Sequence, residues 1–471
     1  MDNTPFGAND KPAKVAGLKR HKKMISIIAV GVIVLVFFGG VAAYGVYNGW
    51  YVRESSPNKP SSSQEKLGSS SSDQSSSSNP NGNGTKNSTD KKTDPKSQNN
   101  TSENTKNSSS AASKPSTTPA NPAHKPKPKP TPTPPATRKP LLIKHGWDIP
   151  TTSWAAGKVA SMDKMPFDGV VMSLPNSLST EVQVQSSTSY TTYKNALSSI
   201  SGANFKNLKY NFLAIYSTPA GDIFDSWSKP IANYSNVARA AKEAGFTGIY
   251  FDNEDYFGYS LDYPDNCGRG KTVAQCRTQA YTRGQEVMNA IRSQWPNVQV
   301  ILAHGPTDSE PATYNYLRSK GIAYNDIAWA NEIRGSFSIG MAAATIGNNA
   351  QVIDGGQLYA ARTTQNFKDI AYWQKTGMAT QGSIIPSAIR SQWPNTISSA
   401  FGIYDKPPLE DTSIPMNTLV WKTTLTNALK TTDHYVWAYT EGHDWWGSGW
   451  PSTPVPSGWV TATRDAYNAV K

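Results

Sequence analysis

The stretch GFTGIYFDNEDY (residues 245–256) decides the fold, because it joins a short apolar run to a cluster of acidic residues. The run TGIYFD (247–252) is rich in aromatic and β-branched residues, which is typical of a buried strand. Asp252 and Glu254 stand two positions apart as this run ends, and alternation along a strand directs both side chains to one face. The segment therefore predicts a buried strand with two carboxylates at its carboxyl end.

Seven further runs of this kind occur between residues 141 and 440, separated by longer segments of helical period such as 235–244 and 273–295. Strands that alternate with helices predict a parallel sheet, and eight such units predict a closed (β/α)8 TIM barrel of the α/β class. An open doubly wound sheet is the alternative, although no Gly-rich phosphate fingerprint follows the first run. The eight runs are LLIKHGW (141–147), FDGVVMSL (167–174), YNFLAIY (210–216), TGIYFD (247–252), VQVILAH (298–304), AQVID (350–354), SAFGIYD (399–405) and YVWAYT (435–440).

The segment 24–52 contains no charged residue and begins with about twenty apolar positions, the length that a helix needs to cross a bilayer. The basic segment 1–23 precedes it, and a basic flank is normally retained in the cytoplasm. We therefore expect a single-pass cell-membrane anchor with a cytoplasmic N-terminus and an extracellular C-terminal domain. A cleaved signal peptide is the alternative, but the apolar run is longer than the apolar core of such a peptide.

The segment 53–140 is dominated by Ser, Asn, Thr, Lys and Pro and holds almost no aliphatic or aromatic residue. It cannot bury enough apolar surface to offset its chain entropy, so we expect a disordered linker. The remaining residues, 141–471, are expected to form the single barrel domain. The chain thus divides into a cytoplasmic segment, an anchor, a linker and one folded domain.

The formal net charge of +12 belongs to the N-terminal part of the chain. Segment 1–23 contributes +4 and segment 53–140 contributes +8, whereas residues 141–471 hold 26 basic and 26 acidic residues. A neutral domain lacks the basic surface that binds a phosphate backbone, so no nucleic-acid partner is expected. The lysines of the linker have two interpretations, contact with an anionic wall polymer and solubility of a disordered tract.

Acidic residues at strand ends are the candidate catalytic groups, because the chemistry of TIM barrels lies at the carboxyl ends of the strands. When two carboxyl groups are neighbours, repulsion and burial raise the pKa of one, which becomes a proton donor, while the other stays ionised. This division of roles suits the cleavage of a glycosidic bond. We therefore predict Glu254 as general acid and Asp252 as its partner. The alternative is that Asp252 caps a turn and Glu254 is a solvated loop residue.

A second constellation is YVWAYTEGHDWW (435–446), in which Trp437, Tyr439 and Glu441 share parity and project to one side. Glu441 is predicted as the second catalytic carboxylate. Polar residues at the ends of other predicted strands are expected at the same mouth, although each has a structural alternative as a hydrogen-bonded residue. Aromatic residues in the loops beyond the strands fit either a glycan cleft or rim packing. The predicted substrate contacts are Trp147, Asp148, Tyr256, His304, Asp354, Trp437, Tyr439, Trp445 and Trp446; His145, Phe257 and Trp450 also lie near strand ends.

Cys267 and Cys276 are the two cysteines of the chain, and in an oxidising compartment they are expected to form a local disulfide. The sequence contains no HExxH motif, no GxSxG nucleophile elbow and no Cys/His cluster with the spacing of a metal site. Neither a metal nor a cofactor is therefore expected.

Several of these segments resemble a group of largely uncharacterised bacterial glycoside-hydrolase-like barrel proteins, in order from about residue 145 to residue 446. In that group an FDxExY element follows the fourth strand and a WxYxE element follows the eighth. The resemblance implies a glycan-directed (β/α)8 barrel. The matching stretches are FDGVVM, NFLAIYSTP, FDSWSKPIANYSNVARAAKEAGFTGIYFDNEDY, VIDGGQLYAARTTQNF and YVWAYTEGHDWW, and the two elements fall on Asp252, Glu254, Tyr256, Trp437, Tyr439 and Glu441.

Two better-known families share only the short D-x-E element with this chain. TGIYFDNE is similar to the end of the family 18 chitinase motif DGxDxDxE, but Thr247 and Tyr250 stand where that motif has aspartates. Family 25 lysozymes also carry D-x-E at the end of a strand, although the rest of their pattern is not evident.

The sequence therefore predicts a membrane-anchored extracellular glycoside hydrolase whose substrate is a polysaccharide or a cell-wall glycan. The alternative is a non-catalytic glycan-binding or adhesive protein that uses the same barrel. The separation between the carboxyl groups decides whether cleavage retains or inverts the anomeric configuration, and sequence spacing does not give that separation.

Overall fold

The computed structural model describes residues 139–254, 261–268, 270–324, 333–408 and 415–470. The predicted cytoplasmic segment, the predicted anchor and all but the last two residues of the predicted linker lie outside this part. Within the described ranges, no helix combines the length and the hydropathy that crossing a bilayer requires.

The described part is built on a nine-stranded sheet in which every neighbouring pair of strands is parallel. Each of the eight predicted runs coincides with a strand. The spatial order is β7-β6-β5-β4-β3-β2-β1-β9-β8. The strands are β1 (Leu141–Gly146), β2 (Gly169–Met172), β3 (Phe212–Tyr216), β4 (Gly248–Asp252), β5 (Gln299–Leu302), β6 (Gln351–Asp354), β7 (Ile397–Ser399), β8 (Phe401–Tyr404) and β9 (Tyr435–Thr440).

The seventh predicted run (399–405) contains β8 and only the last residue of β7, which begins at Ile397, and Ala400 separates the two strands. Strand β7 pairs with β6, and β8 pairs with β9. The Ala400 N–H donates to the Asp354 carbonyl at 2.9 Å, so the interrupted strand still follows β6. The sheet is therefore a nearly closed parallel barrel surrounded by helices, consistent with the predicted TIM barrel.

Helices connect the strands and cover the outside of the sheet. The predicted helix at 235–244 begins earlier, at Ser228, and Pro230 lies in its first turn, where a missing N–H is tolerated. The α-helices are Thr152–Ala156, Val159–Met162, Tyr190–Ala196, Ser228–Glu243, Val273–Gln294, Pro311–Ser319, Arg334–Ala343, Thr364–Tyr372, Met378–Thr380, Ser387–Arg390, Trp393–Thr396, Thr418–Leu429 and Ser457–Asn468; Pro306–Ser309 is a 3-10 helix and Trp373–Gly377 a π-helix.

The core has two parts, one inside the barrel and one between the strands and the helices. Alternation along each strand separates them: Tyr435 and Trp437 of β9 point into the barrel, whereas Val436 and Ala438 pack against the outer layer. Interior side chains fill the barrel, so function is expected at its rim. The interior cluster consists of Leu141, Ile143, Val171, Phe212, Ala214, Tyr250, Ile301, Ala303, Ile353, Ala400, Tyr435 and Trp437.

The predicted disulfide between Cys267 and Cys276 is confirmed. Cys276 lies in the first turn of helix Val273–Gln294 and is buried, so the bond ties the segment before this helix to the helix itself.

Replacing both cysteines by serine should lower the free energy of unfolding by about 2.5 to 3 kcal/mol, because a cross-link of this loop length restricts the unfolded chain by that amount. Urea unfolding followed by tryptophan fluorescence measures the change. Reduction of the wild-type protein should produce the same shift, and an unchanged unfolding midpoint in both cases would contradict a stabilising role.

Candidate active site

Strand β4 carries Asp252 and Glu254 to the carboxyl end of the barrel. Asp252 is buried, whereas the side chain of Glu254 keeps 22 % of its surface exposed. Asn253, between them, donates to the carbonyl of His304 at 2.8 Å and accepts from the His304 N–H at 3.0 Å. This buried amide extends the β4–β5 pairing beyond the ladder, and it fixes His304 beside the two acids.

His304 lies between two carboxylates. Its Nε2 is 3.0 Å from Glu254 Oε1, and its Nδ1 is 2.8 Å from Asp308 Oδ2. Burial lowers the pKa of His304, but the charges of Glu254 and Asp308 outweigh burial and raise this pKa to about 10. His304 is therefore an imidazolium at neutral pH, and it stabilises negative charge on Glu254.

Asp252 has the opposite protonation preference. Burial is the largest cause and the charge of Glu254 adds to it, so that the pKa of Asp252 rises to about 7. The charges of His304 and Arg334 and a hydrogen bond from the Glu254 N–H oppose the rise without cancelling it. The mouth thus holds a carboxyl group that keeps its proton near neutrality, two residues from a carboxylate that faces a cation.

Glu441 follows β9 and is held by two side chains from the end of β8. The hydroxyl of Tyr404 donates to Glu441 Oε2, and Lys406 Nζ lies 3.1 Å from the same oxygen. The buried carboxylate of Asp405 accepts from the backbone N–H groups of Glu441 and Gly442, at 3.0 Å each. Asp405 therefore positions the backbone of Glu441, while Tyr404 and Lys406 stabilise charge on its side chain.

Tyr439 connects the acids of β4 with the acid of β9. Burial and then the charges of Glu441, Glu254 and Asp252 raise the pKa of Tyr439, so its phenol keeps the proton. The indole Nε1 of Trp147 donates to the Tyr439 hydroxyl at 3.0 Å. The ring of Tyr439 lies 5.5 Å from that of Tyr404, which bonds Glu441, so this phenol lies between the acid that follows β9 and the acids of β4.

Aromatic rings line this mouth. The imidazole of His145 packs 4.4 Å from the ring of Tyr250 and 5.7 Å from that of Tyr439, measured between ring centroids. Burial and the neighbouring charge of Lys144 lower the pKa of His145 to about 3, so the ring is neutral. Tyr359 stacks on Tyr439 with a centroid separation of 5.9 Å. The acids therefore lie at the edge of a largely aromatic floor.

Two predicted substrate contacts, Asp148 and Asp354, are buried and bonded to neighbouring side chains and backbone. Asp148 forms a buried ion pair with Lys144, and it also accepts from the Trp445 N–H at 2.9 Å. Asp354 accepts from the Thr307 hydroxyl at 2.6 Å and from Gln374 Nε2 at 3.0 Å. Burial and then the charge of Asp308 raise the pKa of Asp354 to about 6. Both carboxylates therefore hold loops in place.

The predicted aromatic contacts differ in exposure. Trp445 and Trp446 are buried and pack on Phe167, so their rings form part of the outer core. Trp437 is buried inside the barrel, and its Nε1 donates to the Gly355 carbonyl at 2.7 Å. Trp147 is 47 % exposed and remains beside the acids. Tyr256 and Phe257 lie outside the described residues.

Sequence reasoning missed Asp308, Tyr404, Asp405 and Lys406. Asp308 lies in the short 3-10 helix Pro306–Ser309, just after His304, and the acid in the segment HGPTD (304–308) is the signal that could have indicated it. The segment YDK (404–406) follows a predicted strand, but only the pairing of β8 with β9 brings it to Glu441. In the part of the chain that the structure describes, no group of three or more His, Cys, Asp or Glu side chains is arranged to hold a metal ion.

No protein-family model and no curated protein matches the sequence. Several solved structures resemble the fold. An endo-β-mannanase/endo-β-glucanase of Prevotella bryantii is 13 % identical with a TM-score of 0.39; the match covers 70 % of this chain and 49 % of that protein, about half its length. Active domain 2 of a thermostable chitinase from Pyrococcus furiosus is 9 % identical with a TM-score of 0.39, over 71 % and 98 % of the two chains.

A 3-keto-D-glucoside 4-epimerase of E. coli is also similar, with 11 % identity, a TM-score of 0.33 and coverage of 71 % of this chain and 98 % of the epimerase. These structures therefore include both hydrolases and an isomerase. Similarity at this level does not decide an activity, and the function has to be argued from the site.

The ion pair between His304 and Glu254 predicts a titration that NMR can follow. In Glu254→Gln the pKa of His304 should fall from about 10 by at least about one unit, because the variant removes the nearest opposing charge. A Glu286→Gln variant on helix Val273–Gln294 removes an acid that pairs with Arg283 and is the matched control. Equal pKa values of His304 in the wild type and in Glu254→Gln would contradict the described contact.

Proposed function

We propose that the chain is a glycoside hydrolase that cleaves a polysaccharide or cell-wall glycan by carboxylate acid/base catalysis. The observation that carries the proposal is the arrangement of acids at the carboxyl end of the barrel. Glu254 lies 3.0 Å from His304 beside Asp252, and Glu441 is bonded by Tyr404, whose ring lies 5.5 Å from that of Tyr439. One of these acids keeps its proton near neutral pH while another faces a cation. Glycosidic cleavage requires such a proton donor beside an ionised carboxylate.

Glu254 is the group that reaches the glycosidic oxygen, since its side chain is partly exposed and that of Asp252 is buried. Asp252 holds the proton at neutral pH and supplies it to Glu254, which passes it to the leaving oxygen. Asp252 is then the new carboxylate and Glu254 returns to its ionised form, and the positive charge of His304 favours both anions. Asp308, on the far side of His304, keeps that imidazole charged and oriented.

Glu441 is the second carboxylate of the reaction. Its charge, stabilised by Tyr404 and Lys406, faces the positive charge that develops on the sugar ring as the bond breaks. The neutral ring of His145 and the protonated phenol of Tyr439 supply hydrogen-bonding groups for sugar hydroxyls. Asp405 bonds the backbone of Glu441 and Gly442 and the Nδ1 of His443, and it is a positioning residue for Glu441.

The proposal includes the location that the sequence predicts. An anchor at 24–52 and a linker at 53–140 place the domain outside the cell, within reach of glycans at or near the cell surface. The confirmed disulfide supports an oxidising compartment, where such bonds persist.

Glu254→Gln and Asp252→Asn should each lower kcat by about 10²- to 10⁴-fold, because each removes a group needed for proton transfer. Release of reducing ends from a panel of wall and plant polysaccharides measures the effect. Asp465→Asn, on the outer helix Ser457–Asn468, removes an exposed acid paired with Lys422 and is the matched control. Full activity of Glu254→Gln would refute its role as acid, and binding without turnover by the wild type would favour a non-catalytic glycan-binding protein.

The pKa of Asp252 also predicts a pH dependence. Activity should decline above about pH 7 as Asp252 loses its proton. Because burial raises this pKa above the value in the unfolded chain, the stability contributed by the protonated group is present below about pH 4 and is lost as the pH rises towards 7. Asp252→Asn should therefore have a higher Tm than the wild type at pH 8 and a nearly equal Tm at pH 4. A Tm difference that does not change with pH would contradict the assignment.

A further inference from the structure

Two half-exposed tryptophans stack against each other near the candidate active site. Trp147 follows β1, Trp450 lies in the loop between β9 and helix Ser457–Asn468, and each is 47 % exposed. Their ring centroids are 6.0 Å apart and their planes are parallel to within 5°. Large apolar rings that remain in water are unfavourable for the folded chain, so a paired patch of this kind marks a binding surface. We call this pair the tryptophan platform.

The loop that carries Trp450 has a defined shape. The Asp444 carboxylate accepts three hydrogen bonds of 2.7 to 3.0 Å from backbone N–H groups of the following turn. The Ser448 hydroxyl donates to the Trp450 carbonyl at 2.9 Å. Below the loop, Trp445 packs on Phe167 with a centroid separation of 5.1 Å. These contacts fix the backbone around Trp450 and leave its ring in solvent.

The platform is continuous with the candidate active site. Trp147 Nε1 donates to the hydroxyl of Tyr439, the phenol that lies between the acids of β4 and Glu441. On the other side, Lys406 Nζ lies 5.6 Å from the Trp147 ring centre and 3.1 Å from Glu441 Oε2. A ligand that lies on the platform therefore extends directly to the acids.

We propose that the tryptophan platform binds sugar units of an extended β-linked glycan chain, next to the unit whose bond is cleaved. This inference rests on the proposed function and narrows its substrate class. Flat indole faces match the C–H faces of pyranose rings, and equatorial linkages keep these faces aligned along an extended chain, whereas axial linkages turn the chain away from a flat surface. Lys406 is already paired with Glu441, so the surface suits a neutral chain. Substrates too short to reach Trp450 gain nothing from it.

The test compares two chain lengths on the full-length protein. The substrates are β-1,4-linked oligosaccharides of glucose and of N-acetylglucosamine, each with two and with six units. Trp450→Ala should lower kcat/KM for the six-unit chains by about three- to tenfold, the value of one aromatic contact, and leave the two-unit substrates unchanged. Trp450→Phe keeps a flat ring and should recover most of the loss. Tyr372→Ala removes an exposed ring on the outer helix Thr364–Tyr372 and is the matched control.

Equal losses for both chain lengths, or no loss for either, would overturn the platform while leaving the proposed hydrolase intact. If the wild type cleaves neither series, the hydrolase proposal fails for these glycans. Calorimetric titration with the six-unit chains then tests separately whether the tryptophan platform binds them. Binding by the wild type that weakens in Trp450→Ala but not in Tyr372→Ala would support it. Equal binding by the wild type and Trp450→Ala, or no binding, would overturn it.

Discussion

His304 lies buried between Glu254 and Asp308, and the charge distribution of the barrel mouth depends on these contacts. A buried imidazolium is stable only because a carboxylate faces each of its nitrogens. Its charge in turn favours an anion at Glu254, whose charge adds to burial in keeping Asp252 protonated. The position of His304 is fixed by the buried amide of Asn253, which bonds both backbone groups of that residue. The protonation states of the mouth are thus set by the junction of two neighbouring strands.

The barrel separates groups that hold the structure from groups that face the mouth, although both kinds are buried acids at strand ends. Asp148 and Asp354 point to the outer layer and bind Lys144, Thr307 and Gln374 there. Asp252 and Tyr250 are two positions apart on β4, so their side chains point to the same side, and Tyr250 lies inside the barrel. Burial and the charge of Glu254 keep Asp252 protonated. Ionisation of a carboxyl group in that environment lowers the free energy of unfolding. Such a loss of stability is common at active sites.

The sequence predicted the architecture well because strand patterns are local. All eight predicted runs coincide with strands, since a buried parallel strand reads as a short apolar run wherever it occurs. The helix Arg334–Ala343 was not recognised. Its Gly340 allows close packing on helix Val273–Gln294, because a Cβ at this position would lie 2.0 Å from the Tyr281 carbonyl oxygen. Glycine has a low helix propensity, so a glycine that this packing requires weakens the helical pattern in the sequence.

The amino-acid sequence by itself determined the barrel, the disulfide pair, the positions of Asp252, Glu254 and Glu441 at strand ends, and the expectation of an anchor and a linker. Each of these depends on composition or on spacing within one segment. Only the tertiary structure decided that Asp308 is the second carboxylate beside His304 and that Lys406 faces Glu441. It also decided that Trp147 and Trp450 stack beside the acids. Trp147 and Trp450 are about 300 positions apart in the chain, and their contact exists because β1 pairs with β9. Burial, and with it the pKa of Asp252, likewise arises only when the strands meet.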